Sequence, residues 1–298
     1  MEKTESLEIT SNFEQLLEKT LSSEAKELLK IAAKVLDSDR ADRSLEEKLI
    51  QALIDSTENR RVQEILKMTL SGLARRIYFQ DGMATRHSIE PLEDELFVQS
   101  YQLAIERGGN SGIAYRAYIA CWAAKKAVDL EGDFVECGVY KGTLSRTIIN
   151  YVGFEKLDKK FYLLDTFGGF DFKYVTEKEK TTVALEGRYP KDGTYEYVKE
   201  TFQDFANVEL VRGSVPDTLT QVESDKVAYL SVDMNCAEPT RAALEFFWDK
   251  LVSGAVIVCD DYAWRGYIEQ REAINQFAKS KEVDVLTLPT GQGLIFKP

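Results

Sequence analysis

Between Gly132 and Tyr262 five short apolar runs alternate with stretches of helical spacing, and few folds accommodate such an alternation. The runs lie in GDFVEC, KFYLLD, NVELVR, VAYLSVD and GAVIVCDD. Short apolar runs bounded by turn signals read as strands buried on both faces, and strands separated by helices pair in parallel. The chain is therefore read as α/β, a doubly wound, mostly parallel sheet of seven strands. VDVLTLPTGQGLIFKP supplies the last two strands as an antiparallel hairpin around Pro289 to Gly293.

In such a sheet ligands bind beyond the carboxyl ends of the strands, and the chemistry-bearing residues fall there. GDFVECGVYKGTLSRTIINYV reads as strand, tight turn and helix, with Gly138 and Gly142 in the turn and Leu144, Ile148, Ile149 and Val152 at helical spacing. Glycine lets the chain reverse and lets a ligand approach the backbone and the helix N-terminus. Glu136 leaves the strand just before the turn, where a carboxylate can accept from a ribose or an ammonium group. The spacing E-x-G-x-x-x-G suits a nucleoside with a positively charged tail, such as S-adenosylmethionine (SAM), better than a pyrophosphate. Alone it reads equally well as a helix-packing turn without a ligand. Asp165, ending the second strand, is placed to take both ribose hydroxyls, and Gly213 and Ser214 follow the third strand in a turn placed to meet the adenine. Tyr140, Thr143, Thr166, Phe167 and Val215 flank these turns and complete the expected cofactor site, together with Asp233.

Asp233 ends the fourth strand and Asp260 and Asp261 the fifth. On neighbouring strands these carboxylates converge, repel one another, and call for a cation or raised pKa values. All-oxygen ligation suits magnesium, manganese or calcium rather than zinc. A divalent ion there could bind a substrate hydroxyl and lower its pKa, which is metal-assisted O-methyl transfer. Taken singly, the Asp260-Asp261 pair also fits a solvated turn and Asp233 a helix cap before AEPTRAALEFF.

A net charge of -12 over 298 residues, with no basic patch, argues against nucleic acid and anionic membranes as partners. The polar, acidic start and the shortness of the apolar runs point to a cytoplasmic protein without a membrane span. Cys121, Cys137, Cys236 and Cys259 lie far apart and read as reduced core thiols. The chain divides into a helical region, 1–100, and a catalytic domain, 101–298. Helical stripes between Asn12 and Tyr78 read as packing surface for the main domain or for a second subunit of a homo-oligomer. QDGMATRHSIEPLEDELF reads as a loop carrying His87, the only histidine and a candidate base. Lys173 to Phe205 is long for a crossover and reads either as a lid over the site or as a surface insertion with a helix near Tyr195 to Phe205.

GDFVECGVYKG, YLLDTFGGF, VRGSVPDTL, YLSVDMN and VIVCDDY together resemble the macrocin O-methyltransferase family of SAM-dependent, magnesium-dependent sugar O-methyltransferases, over roughly Leu130 to Pro298. The resemblance implies a class I SAM methyltransferase-like fold. It places Glu136, Gly138, Asp165 and Ser214 at SAM, and Asp233, Asp260 and Asp261 on the metal. Its acceptor would be a sugar or glycoside. Family members carry a histidine after DDY; AWRGYIEQREAINQF has none, which leaves His87, Asp233 or the metal alone to handle the proton. Two other readings of the same sheet are a nicotinamide-dependent oxidoreductase and a non-catalytic binding module.

Overall fold

A computed structural model describes residues 78–298 apart from 86, 88, 108, 111, 183–188 and 190–193. The chain forms two compact units, residues 1–79 with 83–88, and residues 80–82 with 89–298. The helical stripes read before Tyr78, and the oligomerisation they suggest, lie outside the described residues. Where a loop is expected around His87, the chain forms two short paired strands, β1 (Tyr78–Gln80) and β2 (Met83–Thr85). Asp81 and Gly82, both in left-handed conformation, make the intervening turn.

The second unit opens with α1 (Glu95–Glu106), capped by Asp94, whose carboxylate accepts from the Leu96 and Phe97 amides. Helix α2 (Ala114–Ala127) follows, with Ala117, Ala120, Ala123, Ala124 and Ala127 fully buried. Small side chains on that face let the helix lie close to a neighbouring surface. Then come β3 (Asp133–Cys137), α3 (Thr143–Val152), β4 (Phe161–Asp165), α4 (Glu177–Thr182), α5 (Thr194–Phe202), β5 (Val208–Arg212), β6 (Val227–Val232), α6 (Ala237–Trp248), β7 (Leu251–Cys259), α7 (Ile268–Ser280), β8 (Leu286–Thr287) and β9 (Gly293–Phe296).

Among the described residues the sheet has seven strands in the order β5-β4-β3-β6-β7-β9-β8. The first five pair in parallel and β9 and β8 run antiparallel, as expected from the terminal hairpin. Burial explains why the central strands read as unbroken apolar runs: every residue of β6 is buried, because helices cover both faces. On one face Phe134, Phe154, Phe161 and Tyr229 form a ring cluster beneath α2 and α3, with Phe134 and Phe154 centroids 5.0 Å apart. On the other, Val135, Leu164, Leu230 and Ile257 pack with Leu244 and Phe247 of α6 and Ile274 and Phe277 of α7. Each such side chain, fully removed from water, contributes roughly 1.5–3 kcal/mol. All four cysteines are buried and free. Among the described residues no helix is long and apolar enough to cross a membrane.

The chain reverses direction across the sheet between β3 and β6, where β4 lies to one side and β6 to the other. That switch point opens a crevice at the carboxyl ends of the strands. The tips of β3, β4, β5, β6 and β7, where the predicted residues lie, are at this end.

Candidate active site

The first turn is built around Gly138, at φ +91°, whose amide donates to Leu164 O at 2.8 Å. A Cβ there would lie 1.9 Å from the carbonyl oxygen of Asp233, so no other residue fits without parting β3 from the tip of β6. Asp165 holds the turn from the neighbouring strand. Its Oδ2 accepts from the Val139 and Tyr140 amides at 2.7 and 2.9 Å, and its Oδ1 from the Phe167 amide at 2.6 Å.

Above this turn lies an open cavity with about 810 Å³ of space, its mouth included. Gly138, Tyr140, Asp165, Thr166, Phe167, Gly213, Ser214, Val215 and Asp233, nine of the residues expected at the cofactor, line it. Ser214 donates to Asp171 Oδ2 at 2.6 Å across the mouth. Tyr140, Phe167 and Asn235 line the cavity with φ of +50°, +50° and +57°. Left-handed conformations cost a non-glycine residue on the order of 1–3 kcal/mol and collect where function requires them.

Three expected cofactor residues stand apart from this lining. Gly142 fills a packing role: a Cβ there would meet the Phe202 ring at 2.6 Å. Thr143 turns its hydroxyl to the Asn110 amide, which donates at 3.0 Å. Glu136 is buried on the α2–α3 side of the sheet, where Ser145 Oγ donates to its carboxylate at 2.7 Å. Burial pushes its pKa up to about 8, against the Ser145 bond, and the Asp260 and Asp165 charges add to the rise.

Because its folded pKa is raised, Glu136 stays protonated while the unfolded chain ionises. Stability attached to this group is therefore full below about pH 4.5 and is lost as pH rises toward 8. Glu136→Gln should remove that loss. Thermal unfolding should show the variant gaining several degrees on the parent at pH 8 and none at pH 4.5; a gain equal at both pH values would contradict a neutral buried carboxyl.

Asp233, Asp260 and Asp261 come together as expected, with one oxygen from each within 4.8 Å of the others. They do so because β6 and β7 are neighbours and Val232 pairs with Cys259. Asp260 and Asp261 are 2% and 8% exposed, which excludes a solvated turn. Nor does Asp233 cap α6: Cys236 occupies that position, and the Ala237 amide donates to Glu179 of α4 instead. Burial, then the charges of Asp260 and Asp261, hold the Asp233 carboxyl well above the usual range, and Arg116 opposes them.

Other residues complete the cluster. Asn235 donates its amide to Asp261 Oδ2 and, at 3.2 Å, to Asp233 Oδ1. Arg116 of α2 donates through Nη1 to Asp260 Oδ2 at 2.6 Å and stands 3.9 Å from Asp261 Oδ1. Gln292 donates to Asp260 Oδ1 at 2.9 Å, its own carbonyl accepting from Thr290. Asp81 accepts from Arg116 Nε and from its backbone amide, both at 2.7 Å. None of these was predicted. Asn235, two residues beyond Asp233, carried a local signal; Arg116 sat in the apolar RAYIACWAAKKAV run and carried none. His87 is exposed, lies in the N-terminal unit, and is not among the cavity-lining residues.

The chain that carries this arrangement, a glycine-floored cavity beside a carboxylate cluster at a sheet switch point, is similar to known proteins. The profile of the family described as Macrocin-O-methyltransferase (TylF) matches residues 117–287. Among solved structures, the O-methyltransferase NovP superposes with a TM-score of 0.53 at 21% identity, over 61% of this chain and 79% of its own. CalS11, calicheamicin methyltransferase, superposes with a TM-score of 0.53 at 18% identity, over 71% of this chain and 94% of its own. At these identities the likeness is one of fold. No curated protein sequence matches.

Proposed function

Since the chain belongs to the macrocin O-methyltransferase (TylF) family, we propose that it transfers the methyl group of SAM to a hydroxyl of a sugar or glycoside, assisted by a divalent cation at the aspartate cluster. One observation carries this reading: Asp233 belongs to both halves of the site, lining the cavity and contributing to the carboxylate cluster. Donor and acceptor are thereby brought to a common point, and holding reactants together lowers a barrier by removing the entropy of bringing them there.

The residues divide the work. Gly138 gives a nucleoside access to the backbone. Asp165 presents its carboxylate to the ribose, and Gly213, Ser214 and Val215 wall the adenine end. Asp233, Asp260 and Asp261 fit an oxygen-ligated divalent ion, with magnesium the expected occupant. SAM supplies an activated methyl carbon, and the cation supplies charge that makes an acceptor hydroxyl more acidic. Asp233, which lines the cavity and belongs to the carboxylate cluster, is the side chain we assign to take the hydroxyl proton.

The acidic composition favours a neutral or cationic acceptor over a polyanion. Assays with methyl-labelled SAM and a panel of glycosides and nucleotide sugars test the proposal. We expect label transfer that EDTA abolishes and Mg²⁺ or Mn²⁺ restores. Transfer undiminished after chelation would remove the cation from the reaction, and no transfer to any sugar hydroxyl would remove the acceptor class.

A further inference from the structure

We propose that Arg116 acts as a built-in cation of the aspartate cluster: it positions Asp260 and, by its charge, weakens the hold of the cluster on a divalent ion. This rests on the reading of Asp233, Asp260 and Asp261 as cation ligands.

The geometry fixes the guanidinium at both ends. Nη1 lies 2.6 Å from Asp260 Oδ2, and Nε lies 2.7 Å from Asp81 Oδ1. The Asp81 side chain is fully buried and its second oxygen accepts from the Arg116 amide, so the side chain has little freedom to withdraw. Burial works against the charge of Arg116, yet Asp260 and Asp81 hold it firmly protonated. Gln292 satisfies the other oxygen of Asp260 at 2.9 Å, and Asn235 ties Asp233 to Asp261.

Two consequences follow from electrostatics. The guanidinium offsets part of the mutual repulsion of the three carboxylates, so the cluster keeps its shape before an ion arrives. An ion that does arrive meets a fixed positive charge 3.9 Å from an oxygen of Asp261, in a poorly screened interior where such a charge acts strongly. Positioning by Arg116 and Gln292 is similar; only Arg116 carries charge. That difference makes the roles separable.

The test is Mn²⁺ titration of the full chain, reading the free ion by electron paramagnetic resonance without turnover, with Asp261→Asn identifying the site. Arg116→Gln should tighten Mn²⁺ binding tenfold or more, while Arg116→Lys, which keeps the charge, and Gln292→Leu should stay within about threefold of the parent. Weaker or unchanged binding in Arg116→Gln would overturn the proposal, leaving Arg116 a support of ligand geometry only. Should Arg116→Gln fail to fold, Arg116→Met decides: tenfold tighter binding supports the charge account, and weaker or unchanged binding overturns it. If the parent binds no Mn²⁺ but Arg116→Gln does, the inference stands and the cation dependence of the proposed reaction falls. If neither binds, the inference falls; the SAM site is judged separately by titration with S-adenosylhomocysteine.

Discussion

Asp261→Asn is expected to lower methyl transfer by on the order of a hundred- to a thousandfold, the usual effect of removing one charge-stabilising group from a catalytic site. The substitution keeps the shape of the side chain and an oxygen able to accept from Asn235. It removes one of three carboxylates packed within 4.8 Å of one another. The repulsion that Asp261 exerts on the remaining two is removed, so the melting temperature should hold or rise. Binding of S-adenosylhomocysteine should be little changed, because Asp261 is not among the residues lining the cavity. Activity lost together with nucleoside binding or with stability would instead make Asp261 a structural residue.

The second large effect is expected at Gly138. In Gly138→Ala the new methyl group would sit 1.9 Å from the Asp233 carbonyl oxygen and 2.5 Å from its carbon, at a φ of +91° that alanine rarely adopts. Backbone atoms cannot swing aside as a side chain can, and Asp233 is pinned by its own amide, which donates to Cys137 O at 2.8 Å. The strand tips must separate. A cost of about 3–5 kcal/mol is expected, which lowers the melting temperature by roughly 6–20 °C in a domain of this size, and nucleoside binding should be lost. Gly153→Ala is the matched control. It has φ +63° at the end of α3 and nothing within 4 Å of the added carbon, so only the backbone strain of about 1–2 kcal/mol applies. Equal losses in the two variants would show that conformation, and not the contact with Asp233, makes Gly138 necessary.

What the sequence makes legible follows from burial. Strands covered on both faces leave unbroken apolar runs, so the strands ending at Asp165, Asp233 and Asp260 were legible, the half-buried edge strand ending at Arg212 less plainly so, and the sheet rule then put their tips in one place. Gly142 shows the limit of motif spacing. A glycine that makes room for the Phe202 ring and one that makes room for a ligand look alike in sequence. Glu136 shows another limit, since alternation along β3 sends its side chain to the helix-covered face, where Ser145 meets it. Arg116 lies 144 positions from Asp260. Nothing local in an alanine-rich helix announces a partner that only the packing of α2 supplies. The insertion between β4 and β5 contains α4 and the crossover helix α5 as described, and α4 contributes Glu179 to the start of α6.

The proposed reaction requires the nucleoside cavity and the carboxylate cluster to form one continuous site. A crystal structure of the full chain with S-adenosylhomocysteine and Mn²⁺ tests this directly. The ribose should lie against Asp165, and an anomalous manganese peak should lie among Asp233, Asp260 and Asp261. Nucleoside density anywhere other than above Gly138, or a manganese ion bound away from the three aspartates, would contradict it.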